Sequence, residues 1–578
     1  MHLRPLILFL IGLCAVLLWN CTPRASVPQV DSVEEARQTL EQTVLPRISV
    51  GEDIISDGLA SRYTTDQIED PLPDINAFPL YGAQPGEDSA AYIEIYSSSE
   101  KANVDRENER WLVEVAEAFN QRQETLPSGE VVQVGVRKIA SGIAARLLGA
   151  GVGKPAGYSP SNDLWVAMAQ SQGVGTVPVA DRLVPNTAGW VLPRPVYDSL
   201  AENGTVSFDR LLNAIASGQV TVAYPNPYSS STALNLLYTL YWRAAGHQKN
   251  GGQLTVAELQ TPQVNSVFDQ FQQQVLITTP TTLDLQELFL RDQSNLQAFP
   301  LEYQNYLALR DVPGFSDTEF VPFGVPHNNP LVGFDWNTPQ QQQSLERFAT
   351  FARSAEMQAL AQQQGFVETD YTKSGQVPPF PDGETLLAAQ SNWKLRKDGD
   401  RTVYMALVID TSGSMEGERM QALKDGLRVA AGQINSGNYI SVVTFADAPT
   451  RRLPLAPFDQ LHHQKFLATI DQLRADGATS MYDGVMVGLA DLLAQKEKDP
   501  TGRYYLLLLS DGEVNRGYTF DAIQDIMAYS DVRFYPIAYG EVNQGELQAI
   551  AALRESTVQQ GTPNNVQTLF KDLFQVNL

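Results

Sequence analysis

Val403-Tyr-Met-Ala-Leu-Val-Ile-Asp-Thr-Ser-Gly-Ser414 opens the last third of the chain. Val403 to Ile409 is one continuous apolar run, the pattern of a strand covered on both faces, as strands of parallel sheets are. Behind it, Met420, Leu423, Leu427 and Ile434 share one face of a helix. Tyr439-Ile-Ser-Val-Val-Thr-Phe445, Tyr504-Leu-Leu-Leu-Leu508 and Val532-Arg-Phe-Tyr-Pro-Ile537 repeat the strand pattern, with helices predicted over 481–494 and 520–528. Strands alternating with helices predict an α/β fold with a doubly wound parallel sheet over 401–578, and ligands of such sheets sit at the carboxyl ends of the strands.

At those ends stand the polar residues. Asp410-Thr-Ser-Gly-Ser414 follows the first strand, Gly477-Ala-Thr-Ser480 precedes a helix, and Ser510-Asp-Gly512 follows a later strand. Asp410, Ser412, Ser414, Thr479 and Asp511 offer only hard oxygen, the chemistry of Mg²⁺ or Mn²⁺ rather than of zinc or copper. This set resembles the metal-ion-dependent adhesion site of the Rossmann-like von Willebrand factor A (VWA) domains. The resemblance implies that Ser412 and Ser414 bind the metal directly, Thr479 directly or through water, and Asp410 and Asp511 mostly through water. It also implies an open coordination position that prefers a carboxylate presented by a partner protein or surface. The nearby Glu416, Glu418 and Glu513 read as solvated loop residues, so no hydrolytic base stands beside the metal.

Region 90–366 alternates short apolar strands with amphipathic helices. Tyr92-Ile-Glu-Ile-Tyr96 is predicted as a strand running into Ser97-Ser-Ser-Glu-Lys101. A helix carrying Trp111, Leu112, Val115, Ala116 and Phe119 follows, then a strand over Val131-Val-Gln-Val-Gly-Val136 and a helix beginning after Ala140-Ser-Gly142. With Lys154-Pro-Ala-Gly-Tyr-Ser-Pro-Ser161 and Tyr224-Pro-Asn-Pro-Tyr-Ser-Ser-Ser-Thr232, this order resembles a bacterial type II periplasmic solute-binding protein, a two-lobed fold. Hydroxyl loops at helix starts offer N–H groups and a positive dipole end to a ligand, which makes Ser97, Ser98, Ser99, Ser141, Ser159, Ser161, Ser230 and Thr232 candidate ligand-binding residues. Their alternative role is helix capping. Gly149-Ala-Gly-Val-Gly-Lys154 is not a P-loop, because Leu148 and Pro155 stand where glycine and a hydroxyl residue are needed.

At 578 residues the chain exceeds what one core holds, roughly 250 to 300 residues. The formal charge of −25 argues against a nucleic-acid partner. Both cysteines, Cys14 and Cys21, lie in the first apolar segment, leaving the body of the protein without a thiol for a disulfide, zinc or catalysis. His462 and His463 read as an ordinary solvated helix start. Leu6 to Trp19, after His2 and Arg4, has signal-peptide length, and Cys21 has the placement of a bacterial lipoprotein cysteine, with an uncleaved anchor as the alternative. The expected organisation is a signal peptide or membrane anchor over 1–21, a polar tether over 22–89 with one helical stretch from Ser32 to Thr43 and a small extra folded unit as its alternative, a solute-binding-like domain over 90–366, a Pro/Gly-broken linker over 367–400 and a VWA domain over 401–578. The expected function is that of an exported, membrane-tethered binding or adhesion protein, periplasmic or on the cell surface. It would make Mg²⁺-dependent contact with an acidic partner and hold a small-molecule ligand. The alternative is a component of uptake for a small anion or other small molecule. No nucleophile triad, cofactor fingerprint or zinc motif points to an enzyme.

Overall fold

The computed structural model describes residues 27–65, 72–86, 91–291, 293–369, 377–511, 514–540 and 544–578. The segment 1–21 with Cys21, and Gly512 and Glu513 of the last loop, lie outside the described residues. Of those described, residues within Met1–Thr65, Val403–Lys424 and Ser436–Pro563 form one compact unit. Residues within Asp66–Thr402, Asp425–Asn435 and Asn564–Leu578 form a second.

The first unit is built on a seven-stranded sheet in the order Gly51–Glu52, Pro449–Pro457, Tyr439–Phe445, Val403–Asp410, Arg503–Ser510, Arg533–Tyr539, Gln559–Gly561. All pairings are parallel except that between Tyr439–Phe445 and Pro449–Pro457. Val403–Asp410 is central and every residue of it is buried, which is why its sequence is apolar without alternation. The helix Met481–Lys496 packs on this strand through Val485 and Leu489, and Gly488 leaves room for Val408.

The helix predicted from Ser32 to Thr43 is present, but the segment that carries it is folded into this unit and is not a tether. Val33–Thr39, capped by Ser32, continues as a π-helical turn over Leu40–Val44. Ala36, Leu40 and Val44 form a narrow stripe at four-residue spacing that is buried, with Val30 and Ile48, in the same core as Tyr404, Ala406 and Val408. The chain then adds Gly51–Glu52 as a parallel edge strand on Pro449–Pro457, with Gly51 opposite Thr450. Ile55 and Ala60 pack against Ala468, and Tyr63 Oη donates to Asp471 Oδ2 at 2.9 Å. A mostly polar segment is held because its few apolar residues recur on one helical face. The helix Gln460–Asp471 carries the adjacent histidines in its first turn, where Gln460 and Leu461 are exposed, but His462 is buried and its Nε2 donates to the Ile440 carbonyl at 2.8 Å, so this histidine is not a solvated one.

The second unit contains two lobes. One is built on six strands ordered Leu80–Gly82, Gln133–Lys138, Tyr92–Ser97, Gly157–Ser159, Leu331–Phe334, Thr176–Ala180. The other carries the antiparallel set Phe299–Glu302, Ala188–Pro193, Thr318–Pro322 and the parallel pair Val222–Pro225 with Val275–Thr279. The predicted linker also differs: Gly383–Arg396 is a helix capped by Asp382, and Leu386, Ala389 and Trp393 belong to the core of this unit. Trp393 Nε1 donates to Tyr224 Oη at 2.7 Å. No helix among the described residues is long and apolar enough to cross a membrane.

Candidate metal centre and ligand cleft

The strands Val403–Asp410 and Arg503–Ser510 run parallel and deliver Asp410 and Asp511 to the same edge of the sheet. Asp410 is fully buried; its Oδ1 accepts the Ser412 N–H at 2.8 Å and its Oδ2 accepts the Ser510 hydroxyl at 2.9 Å. Ser412 Oγ lies 3.0 Å from Ser414 Oγ, and Ser414 Oγ donates to Asp511 Oδ1 at 2.7 Å. The third loop is tied alongside by backbone bonds. Gly413 N–H donates to the Gly477 carbonyl at 3.0 Å and Asp476 N–H to the Thr411 carbonyl at 2.9 Å. Gly477 has φ +84°, a conformation that suits glycine there. Thr479 is buried in this loop and its N–H donates to Asn515 Oδ1 at 2.9 Å. Asp410, Ser412, Ser414 and Asp511 are thus one hydrogen-bonded chain, and Thr479 sits on the adjoining loop.

Burial pushes the Asp410 carboxyl above its usual value; the bonds from Ser412 and Ser510 oppose this and the charge of Asp511 adds to it. Arg419 Nη1 pairs with Asp511 Oδ2 at 2.6 Å. Asp410 has hydrogen bonds but no cationic partner among the described residues. Two neighbouring buried carboxylates with one arginine on Asp511 are undercompensated, and a divalent cation would supply the missing charge. Among the described residues no three His, Cys, Asp or Glu side chains come together as a metal cage; hydroxyls complete this donor set, and it fits Mg²⁺ or Mn²⁺.

In the second unit a cavity of about 240 Å³ lies among helix starts and strand ends of both lobes. Of the candidate hydroxyls, Ser99, Ser141, Ser230 and Thr232 line it. Ser97, Ser98, Ser159 and Ser161 are buried and absent from the lining. Ser98 Oγ accepts from Lys101 Nζ at 2.6 Å, and Ser230 Oγ caps its helix by accepting the Ala233 N–H at 3.3 Å. Gly142 begins its helix so close to the Tyr228 carbonyl that a Cβ would collide with it.

Two family matches divide the chain in the same order. Residues 104–367 match the bacterial extracellular solute-binding protein family, and residues 405–513 match the von Willebrand factor type A domain. The chain carries a bacterial solute-binding domain followed by a VWA domain. Its fold is accordingly α/β, a two-lobed solute-binding domain before a Rossmann-like one.

Among curated proteins, the chain is 26% identical over 185 residues to the Synechocystis protein "Uncharacterized protein sll0103", covering 31% of this chain and 43% of that one. It is 31% identical over 116 residues to inter-alpha-trypsin inhibitor heavy chain H4 of Sus scrofa, covering 19% of this chain and 12% of that one. The chain therefore spans less than half the length of these relatives. Similar solved structures include a von Willebrand factor type A protein from Catenulispora acidiphila, at 20% identity and TM-score 0.28, covering 30% of this chain and 42% of that one. Another is the sulfate-binding protein SubI from Mycobacterium tuberculosis H37Rv, at 17% identity and TM-score 0.34, covering 52% of this chain and 96% of that one.

Sequence reasoning on the solute-binding domain singled out hydroxyls and passed over Lys101, Gln286, Glu302 and His327. The placement of Glu302 at the end of an apolar strand, Phe299–Glu302, was the available sign. On the VWA domain it passed over Arg419 and Asn515, whose roles arise from loops meeting across the sheet edge.

Proposed function

We infer that the protein, which carries these two domains, is a binding or adhesion protein with a ligand-binding domain. We propose that it is exported and held at the membrane by its N-terminus, in the periplasm or at the cell surface. There its VWA domain makes Mg²⁺-dependent contact with a carboxylate of a partner protein or surface, while its solute-binding domain holds a small molecule. It has no catalytic role in this reading. The observation that carries the proposal is the hydrogen-bonded set Asp410, Ser412, Ser414 and Asp511 at the carboxyl edge of the sheet, with Thr479 beside it.

Ser412, Ser414 and Thr479 would hold the ion with neutral hydroxyls, and Asp410 and Asp511 would orient them and balance its charge. When bound, the ion supplies a hard electrophile with a position open to an oxygen ligand. Arg419, already on Asp511, keeps that carboxylate from turning outward. The test is a Mg²⁺ titration of the chelated full chain, read by calorimetry and by capture on an aspartate-bearing resin. Saturable Mg²⁺ binding and Mg²⁺-dependent capture, both lost in Asp410→Ala, are expected. Identical behaviour of the variant and the parent in both assays overturns the proposal.

The cavity supports a second reading, in which the solute-binding domain delivers its ligand to a transporter and the VWA domain serves for docking. A thermal-shift screen of sulfate, phosphate, molybdate, sugars and amino acids addresses it, since a ligand that binds the native state raises its stability by mass action. No shift with any of them counts against delivery.

A further inference from the structure

We propose that the cavity of the solute-binding domain takes a small ligand bearing a protonated primary amine, seated on the carboxylate of Glu302; this rests on the reading of that cavity as a ligand site. Glu302 closes the strand Phe299–Glu302, is 2% exposed and lines the cavity. Its Oε1 accepts two hydrogen bonds, from Thr232 Oγ1 at 3.0 Å and from His327 Nδ1 at 2.7 Å.

The direction of the second bond follows from its neighbours. Asn235 Nδ2 donates to the Val325 carbonyl at 2.8 Å while its Oδ1 accepts the Val325 N–H at 2.9 Å, which orients the amide. Its Nδ2 therefore faces His327 Nε2, 2.9 Å away, as a donor, and Asn162 Nδ2 stands at the same distance. With Nε2 accepting, the ring proton lies on Nδ1 and is donated to Glu302. His327, Asn235 and Asn162 are completely buried. Thr232 and His327 thus hold the carboxylate in place, with Asn235 and Asn162 behind the imidazole.

The other oxygen, Glu302 Oε2, is buried and has no hydrogen-bond partner. A buried carboxylate left half-satisfied is costly, and a cation that reaches it removes that cost. The protein's own amino groups nearby are committed. Lys101 is fully buried below the lining, and its Nζ donates to Ser98 Oγ at 2.6 Å, the Ser159 carbonyl at 2.8 Å and the Pro160 carbonyl at 3.4 Å. Lys138, on the wall, donates to Asn103 Oδ1 at 2.6 Å.

The remaining wall groups narrow the ligand. Glu100 Oε2 is also buried without a hydrogen-bond partner, whereas the Glu109 carboxylate is engaged by Asn103 at 2.8 Å and Arg106 at 3.5 Å. An oxyanion would meet two uncommitted carboxylate oxygens and an engaged lysine, so it is disfavoured. A bare metal ion is disfavoured because no three acidic, histidine or cysteine side chains among the described residues converge as a cage. An ammonium offers three donors in a compact head, which suits Glu302 with a second acceptor such as Glu100. Gln286 Nε2, an unpartnered buried donor on the wall, leaves a place for an acceptor elsewhere on the same ligand.

The experiment is calorimetry and thermal shift on the full chain with putrescine, lysine, glucose and sulfate. Putrescine or lysine is expected to bind, with Glu302→Gln weakening it by ~30-fold or more, as removing one partner of a buried charge pair does. Glu100→Gln, at a half-buried wall position outside the histidine network, is expected to weaken it by about 3- to 10-fold, and it carries the test if Glu302→Gln does not fold. Binding of glucose or sulfate without binding of the amines overturns the amine assignment and leaves the cavity a ligand site. Amine binding that neither variant alters also overturns it. No heat and no shift with any of the four overturns both the assignment and the reading of the cavity on which it rests.

Discussion

Leu40→Ala tests whether the N-terminal segment is part of the VWA unit or a tether to it. Leu40 is 0% exposed and lies between Ala36 and Val44 on the buried stripe. Truncating a fully buried leucine removes its transfer free energy and leaves a cavity, together about 2–5 kcal/mol. At about 1.4 kcal/mol per factor of ten, the lower figure is a ~30-fold change in the opening equilibrium. The assay is hydrogen exchange of the full chain read by mass spectrometry, following peptides that cover Val33–Val44 and the strand Val403–Asp410. A global unfolding midpoint is less suitable, because a two-unit chain is not expected to unfold in one step. Leu40→Ala should lower protection of the 33–44 amides by ~30-fold or more. Val33→Ala, at a position 41% exposed on the same helix, should stay within about 2-fold. Docking is refuted if the parent 33–44 amides already exchange at the unprotected rate, or if both variants lose protection alike.

Trp393→Ala should destabilise the solute-binding unit by about 3–5 kcal/mol, because the indole is fully buried and its N–H is bonded to Tyr224. Leu395→Ala, at a position 76% exposed, should change the stability of that unit little, both read by hydrogen exchange of Gly383–Arg396, and equal effects would mean that the helix does not dock. Raising Mg²⁺ to a hundred times its Kd should stabilise the VWA unit by about 2.7 kcal/mol in the parent and not in Asp410→Ala, as seen in thermal scans after chelation. Burial lowers Lys101 to about 7, well under its usual lysine value. Between that value and about 10.4 the unfolded chain binds the proton more tightly than the folded one, so this group makes stability rise with pH across the window and fall as pH drops toward 7. Lys101→Met should remove that slope from the urea transition of the solute-binding unit, followed by hydrogen exchange of its own peptides at a series of pH values, and an unchanged slope would contradict it.

Much of the VWA domain was legible because its determinants are local. A run such as Val403–Ile409 cannot be half-exposed, and its flanking Asp410, Ser412 and Ser414 follow within five positions. The strands therefore place those oxygens together almost regardless of the rest of the chain. The helix from Ser32 was legible, but its docking, and the helix within 367–400, were not, for the opposite reason. In the first, Ala36, Leu40 and Val44 are a thin stripe in polar sequence, and in the second Pro378 to Pro381 conceals the helix that begins at Gly383. Periodicity this sparse gains its meaning only from the surface that covers it, and that surface comes from distant sequence: Gly51 meets Thr450, and Trp393 meets Tyr224.

The same division runs through the sites. The oxygen donors of the metal set, and the serines at helix starts, belong to short motifs whose chemistry is stated by residue type and spacing, so the amino-acid sequence alone determined them as candidates. Which hydroxyls reach the cavity was decided by tertiary structure, which places Ser99, Ser141, Ser230 and Thr232 on its wall and buries Ser97, Ser98, Ser159 and Ser161 away from it. Tertiary structure alone also brought Asn162, Asn235, Glu302 and His327 into one network. The physical reason is that a side chain's identity and its place on a helix or strand are local properties. A buried carboxylate's partners and its one free oxygen depend on which distant segments fold against it.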